Sequence, residues 1–191
     1  YAAWREAGGP EPVVAAGLPG EWLMAPASDP DCRLLYLHGG SWMKGGLDSH
    51  RTLAAWIADV SGASVLVVDY RLAPEHPFPA GLEDCLAAYA WMHDHGPRGR
   101  GAASEMWIAG DSAGGNLTLA TGMQLLRDGD IGLVSGLYAL CPYIAGEWPQ
   151  EQFPSSIENE GILLNLHHNR GAVAYGIEHY EARNPLAWPS F

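Results

Sequence analysis

An α/β fold, with a mostly parallel sheet and helices on both of its faces, is the architecture this sequence predicts, on two observations. Short apolar runs alternate along the chain with longer segments in which apolar residues recur every three or four positions. The later apolar runs are continuous rather than interleaved with polar residues, the pattern of strands covered on both sides. A length of 191 residues suits one domain with a substantial core, so neither disulfides nor metals are needed to hold it together.

After an opening spaced by Pro and Gly, strands are expected at 21–24, 34–37, 64–68, 106–109 and 134–140. Crossover helices are expected at 49–61, 81–95 and 113–127, where spacings such as Leu82, Cys85, Leu86 and Tyr89 place apolar residues on one helical face. From Pro142 to Pro154 the chain is polar and Pro-bearing, and mixed segments follow at 157–165 and 171–180; this part reads as a lid or insert. Residues 184–191 are irregular and punctuated by Pro, which predicts that a further element follows to anchor them. On that reading the sheet lacks its last strands, and an uncovered sheet edge favours a homo-oligomer.

Ten basic against 22 acidic side chains give a net charge of -12, which argues against nucleic acid and anionic membrane surfaces as partners. No run is apolar for long enough to span a bilayer, and no basic start followed by an apolar stretch marks a secretion signal. The expected location is cytoplasmic, for a chain that opens on Tyr1 rather than Met. Cys32, Cys85 and Cys141 are odd in number and widely spaced in apolar stretches, and read as buried reduced thiols.

The chemistry concentrates at Ile108 to Leu117, IAGDSAGGNL, where an apolar strand runs into a helix through Gly110, Asp111, Ser112, Ala113 and Gly114. This is a G-x-S-x-G elbow: the turn is so tight that a Cβ two residues either side of the serine would strike a neighbouring element, and Ser112 is pushed out as a nucleophile. The same turn opens a helix, so the Ala113 amide and the positive end of the helix dipole face a developing oxyanion. A second element, His38, Gly39, Gly40, Ser41 and Trp42, follows the strand at 34–37. Its adjacent glycines can turn their amides inward, which makes Gly39 and Gly40 the expected oxyanion-hole donors; His38 is expected to brace the loop rather than act as a base.

With HGGSW at 38–42, DYRLAPEHPFPA at 69–80 and GDSAGG at 110–115, in that order, the sequence resembles the hormone-sensitive lipase family of esterases. Within it, GLEDCLAA at 81–88, PSSIENEG at 154–161 and NPLAWPSF at 184–191 look most like the bacterial brefeldin A esterase branch. The resemblance implies an α/β-hydrolase fold, hydrolysis of short-chain carboxylic esters through an acyl-enzyme, a small-molecule ester as partner, and neither metal nor organic cofactor. It implies a cap, drawn here from residues 1–18 and 142–180. Trp42, Tyr143 and Trp148 are candidate substrate contacts, with aromatic core packing as the other reading of the same residues. The family's oxyanion loop often carries a third glycine where Ser41 stands.

In this fold an acid and then a histidine follow the serine, each on a loop after a later strand. Only one good strand is expected beyond Ser112, so both triad partners are expected to lie outside this chain, which alone would be nearly inactive. His167, His168 and His179 fall in the expected cap region, Glu158 and Glu160 are two carboxylates among many, and Glu75 and His76 suit bracing of their loop. Folds of this kind have also served as small-molecule receptors once the triad was broken, in which case the pocket would bind without turnover. An amidase using the same serine is a third reading.

Overall fold

The computed structural model describes residues 9–144. Strands β1 (Glu11–Ala15), β2 (Leu18–Leu23), β3 (Asp29–Leu37), β4 (Ala63–Val68), β7 (Glu105–Asp111) and β8 (Gly136–Leu140) form a sheet in the order β1-β2-β4-β3-β7-β8. The pairs β4 with β3, β3 with β7 and β7 with β8 are parallel, while β1 and β2 join antiparallel at one side. Helices α1 (Leu47–Ser61), α2 (Ala80–Asp94) and α3 (Ala113–Asp128) make the crossovers. A short ladder of β5 (His95–Gly96) and β6 (Gly99–Arg100) closes the end of α2.

Alternate residues of the central strands feed two separate cores. Leu35, Leu37, Leu66, Val68 and Ile108 meet Leu82, Cys85 and Tyr89 of α2 and Leu117 and Ala120 of α3. Leu34, Tyr36, Val65, Val67 and Ala109 meet Ala54, Ala55 and Ala58 of α1 on the opposite face. Strands buried on both faces are what the continuous apolar runs demanded, because neither set of side chains can be given to water.

The cap expected over residues 1–18 does not take in residues 11–18. Glu11–Ala15 are the edge strand β1, joined to β2 by a two-residue turn at Ala16 and Gly17, both with positive φ (52° and 88°). That is the handedness a tight hairpin needs. Pro12 is tolerated because β1 lies at the sheet's end, where one row of amides needs no partner. Residues 1–8, and the cap segment expected from 145 to 180, lie outside the described residues. So do Trp148, Glu158, Glu160, His167, His168 and His179. At the other end of the order, β8 exposes Tyr138 and part of Leu137.

Two loops that matter for chemistry leave adjacent strands at the same end of the sheet. Leu37 of β3 pairs with Gly110 of β7, so the segment from His38 and the turn at Ser112 emerge side by side. Open parallel sheets place their sites at the carboxyl ends of strands. Among the described residues no helix is long and apolar enough to cross a membrane.

Candidate active site

Ser112 sits between the last residue of β7 and the first of α3 with φ 52° and ψ -115°. A non-glycine residue there is strained by about 1–3 kcal/mol and persists only where its surroundings fix it. Three hydrogen bonds do so: Ser112 donates its amide to Leu140 O (2.9 Å), and its carbonyl accepts from Asn116 N (3.0 Å) and Tyr143 N (3.1 Å). The side chain is left half-exposed, and among the described residues its hydroxyl makes no hydrogen bond.

The glycines of the elbow are sterically required. A Cβ on Gly110 would stand 2.5 Å from the carbonyl oxygens of Leu37 and Gly114. One on Gly114 would collide with Leu37 O, and lie 2.7 Å from His38 O. Both obstacles are backbone, which cannot swing aside as a flexible side chain would.

The glycine loop after β3 makes a turn of its own. Gly40 has φ 131°, and its carbonyl accepts from Met43 N and Lys44 N (both 3.1 Å); Ser41 and Trp42 follow with φ 56° and 59°. The Gly39 amide is already committed: it donates to Asp111 Oδ1 at 3.0 Å. Gly39 is therefore corrected as an oxyanion donor, since a hydrogen held by a carboxylate is not free for substrate. Among the described residues the amides of Gly40 and Ser41 meet no acceptor, and the Ala113 amide, first in α3, has no intrahelical one. The free donors on the loop are thus shifted by one residue along the chain, to Gly40 and Ser41.

His38 is wholly buried, and its Nδ1 lies 2.9 Å from Gly39 O. A carbonyl only accepts, so this nitrogen carries the proton. The ring stacks on Tyr70 at 4.2 Å, and the Tyr70 hydroxyl donates to His38 O at 2.6 Å. Fully buried and held in this way, His38 braces the loop. Sequence reasoning placed bracing of this region on Glu75 and His76, which are exposed. The bracing residues of DYRLAPEH are instead Tyr70 and Asp69, whose Oδ1 accepts from Leu47 N (2.9 Å) at the start of α1. Arg71 pairs with Asp84 and Glu83 of α2 and fastens the segment.

Burial holds the His38 imidazole below its ordinary pKa of 6.5. As pH falls through that value the unfolded chain takes up a proton there and the fold does not. The His38 contribution is therefore complete above 6.5 and declines below it until the folded pKa is reached. Between about pH 7.5 and about pH 5.5 the urea midpoint of His38→Gln should fall less than that of the wild type, and parallel falls would contradict the assignment.

Trp42 and Tyr143 come together edge to face, with ring centroids 5.8 Å apart at 86°. Trp42 is buried and Tyr143 half-buried, and the Tyr143 amide is bound to Ser112 O. Asn116 Nδ2 donates to Tyr143 O at 2.8 Å, so the aromatic pair is tied to the turn at Ser112. Asp111, beside Ser112, accepts at Oδ1 from the Tyr36 hydroxyl (2.8 Å) and lies 3.5 Å from His50 Nε2. Burial alone would raise its pKa; the hydrogen bonds from His50, Tyr36 and Gly39 outweigh that and hold the carboxyl below its ordinary 3.8. Among the described residues no cluster of His, Cys, Asp and Glu is arranged to hold a metal ion.

A profile of the α/β-hydrolase fold family matches residues 34–191. The acetyl-hydrolase of Streptomyces hygroscopicus is 37% identical over 185 residues, covering 95% of this chain and 58% of that protein. The carboxylic ester hydrolase LipN of Mycobacterium tuberculosis is 47% identical over 136 residues, or 69% of this chain and 34% of LipN. Among solved structures, an esterase from the bacterial hormone-sensitive lipase family is similar with TM-score 0.83 and 36% identity, over 95% of this chain and 59% of that one. The structure of esterase Est22 is similar with TM-score 0.78 and 41% identity, over 94% and 57%. The chain spans less than two thirds of the length of each of these proteins. With the strained serine at its strand-to-helix turn and the glycine loop beside it, the chain belongs to the α/β-hydrolase fold family and, within it, to the hormone-sensitive lipase family.

Proposed function

We propose that the protein hydrolyses short-chain carboxylic esters through an acyl-enzyme on Ser112. The observation that carries this reading is the convergence of Ser112, half-exposed at φ 52°, with an oxyanion loop fastened against it from Gly39 to Asp111. Ser112 Oγ attacks the ester carbonyl carbon while its proton passes to a histidine outside residues 9–144. The tetrahedral oxygen takes hydrogen bonds from the amides of Gly40, Ser41 and Ala113, and the helix dipole of α3 favours its charge. The same histidine returns the proton to the departing alcohol oxygen as the carbon–oxygen bond breaks. Water then repeats the sequence on the acyl-enzyme and releases the acid.

The names of the similar proteins, an acetyl-hydrolase and a carboxylic ester hydrolase among them, support an ester carbonyl as the reacting group. Trp42 and Tyr143 would form an apolar wall beside the acyl group, which favours short chains. The test is hydrolysis of p-nitrophenyl acetate or butyrate by the full-length protein, with turnover expected for the wild type and lost in Ser112→Ala. A folded wild type without turnover, or a variant that retains it, would sink the proposal.

A further inference from the structure

We propose that Asp111 is a positioning residue that sets the oxyanion loop by holding the Gly39 amide, and that Tyr36 and His50 hold Asp111 in turn; this rests on the ester-hydrolase reading of Ser112. One carboxylate oxygen joins four pieces of the fold. Asp111 Oδ1 accepts from Gly39 N at 3.0 Å and from the hydroxyl of Tyr36, a fully buried residue of β3, at 2.8 Å, and lies 3.5 Å from Nε2 of His50 on α1. Asp111 itself ends β7, one residue before the nucleophile.

The approach is close enough to explain why residue 39 is glycine. Any Cβ there would collide with the Asp111 carboxylate, and would stand 2.9 Å from the Asp111 carbonyl oxygen. Gly39 has an ordinary backbone conformation, since its φ is not among the positive values, whereas Gly40, Ser41 and Trp42 all have positive φ. Residue 39 is thus the hinge at which the chain leaves regular strand for the irregular turn. Fixing its amide fixes the plane from which the next two amides are aimed. Donors aimed before the reaction are what make an oxyanion hole effective, and a displacement of about 1 Å costs on the order of a hundredfold in rate.

A bare carboxylate one residue from the nucleophile would oppose the negative charge that develops there, so its own donors matter. The Tyr36 hydroxyl disperses part of that charge through a part-buried hydrogen bond. His50 must present an N–H at Nε2 to face a carboxylate. The other side of the ring is anchored too: its Nδ1 lies 2.8 Å from Ser49 Oγ, which accepts from Gly46 N and donates to Gly46 O just ahead of α1. Removal of either partner frees the carboxylate to swing, and Gly39 with it.

The experiment compares wild type, Asp111→Ala and Asp111→Asn of the full chain by two readouts. Asn keeps an acceptor oxygen at the Oδ1 position; Ala does not. With p-nitrophenyl butyrate, Asp111→Ala should lose at least about tenfold in kcat with KM changed by less than about twofold, and Asp111→Asn should recover most of the loss. In 1H–15N spectra the Gly39 amide proton should lie far downfield in the wild type, move upfield in Asp111→Asn and lose its exchange protection in Asp111→Ala. A kcat equally low in both variants, or a Gly39 signal indifferent to them, overturns the proposal. If Asp111→Ala does not fold, the shift of the Gly39 signal in Asp111→Asn decides. If the folded wild type shows no hydrolysis dependent on Ser112, the ester-hydrolase reading fails and the Gly39 signal still judges the link.

Discussion

Ser112→Ala is expected to lower the rate of ester hydrolysis by about 10³- to 10⁶-fold while leaving the fold intact. The loss should appear in kcat with KM little changed, because the hydroxyl forms the covalent bond rather than the binding surface. Residual catalysis would come from the oxyanion donors alone, since Gly40, Ser41 and Ala113 do not need the hydroxyl to stabilise charge. Stability should rise slightly or stay level. Alanine at φ 52° remains strained, but the hydrogen bonds that enforce the turn are all made by the backbone of residue 112. A variant with substantial turnover of p-nitrophenyl butyrate would mean that another group performs the attack.

Gly114→Ala is expected to have the largest effect on the fold at the site. The added methyl group meets the Leu37 carbonyl oxygen, with His38 O at 2.7 Å behind it. Relief requires α3 to move away from β3, and that movement would pull on the first turn of the helix and on Ser112. Overpacking of this kind costs typically about 1–3 kcal/mol, and here both obstacles are backbone carbonyls of consecutive residues. A lower urea midpoint is expected, together with loss of hydrolysis greater than the loss of folded protein. Contact between Thr118 Oγ1 and Gly114 O, at 2.9 Å, ties the same turn further into α3 and leaves it little room to yield. A variant as stable and as active as the wild type would show that the close packing of β3 on the elbow is not required.

The sequence was most legible where one physical cause dominates. Residues 64–68 and 34–37 read as strands because every side chain there is apolar or buried, and β4 and the end of β3 are buried on both faces. The elbow was legible because few other glycine patterns satisfy a strand and a helix meeting within a few residues. β1 was not, because Glu11–Ala15 lies at the sheet's end with most of its side chains in water, and a Pro interrupts the pattern. Its turn is Ala16–Gly17, a weaker hairpin signal than Asn–Gly or Asp–Gly.

Site residues divide in the same way. Ser112 and Ala113 are fixed by local geometry, and the structure puts them where a local motif would. Gly39 is decided by a side chain 72 residues away, a distance in sequence over which no periodicity reports. The only local hint was the acidic residue inside the elbow motif, whose carboxylate must be satisfied by some nearby donor. Ser41 was passed over because its side chain departs from glycine, although the donor in question is its amide. Trp42 and Tyr143 also come together from distant parts of the chain, and Tyr143 owes its place to the bond between its amide and Ser112 O.

The central claim is that this serine is an activated nucleophile in a site built for acyl transfer, and covalent labelling addresses it most directly. The full-length protein, treated with a fluorophosphonate and digested, should carry one adduct per chain on the peptide containing Ser112. A folded protein that stays unlabelled, or that is labelled at a different residue, would contradict the account.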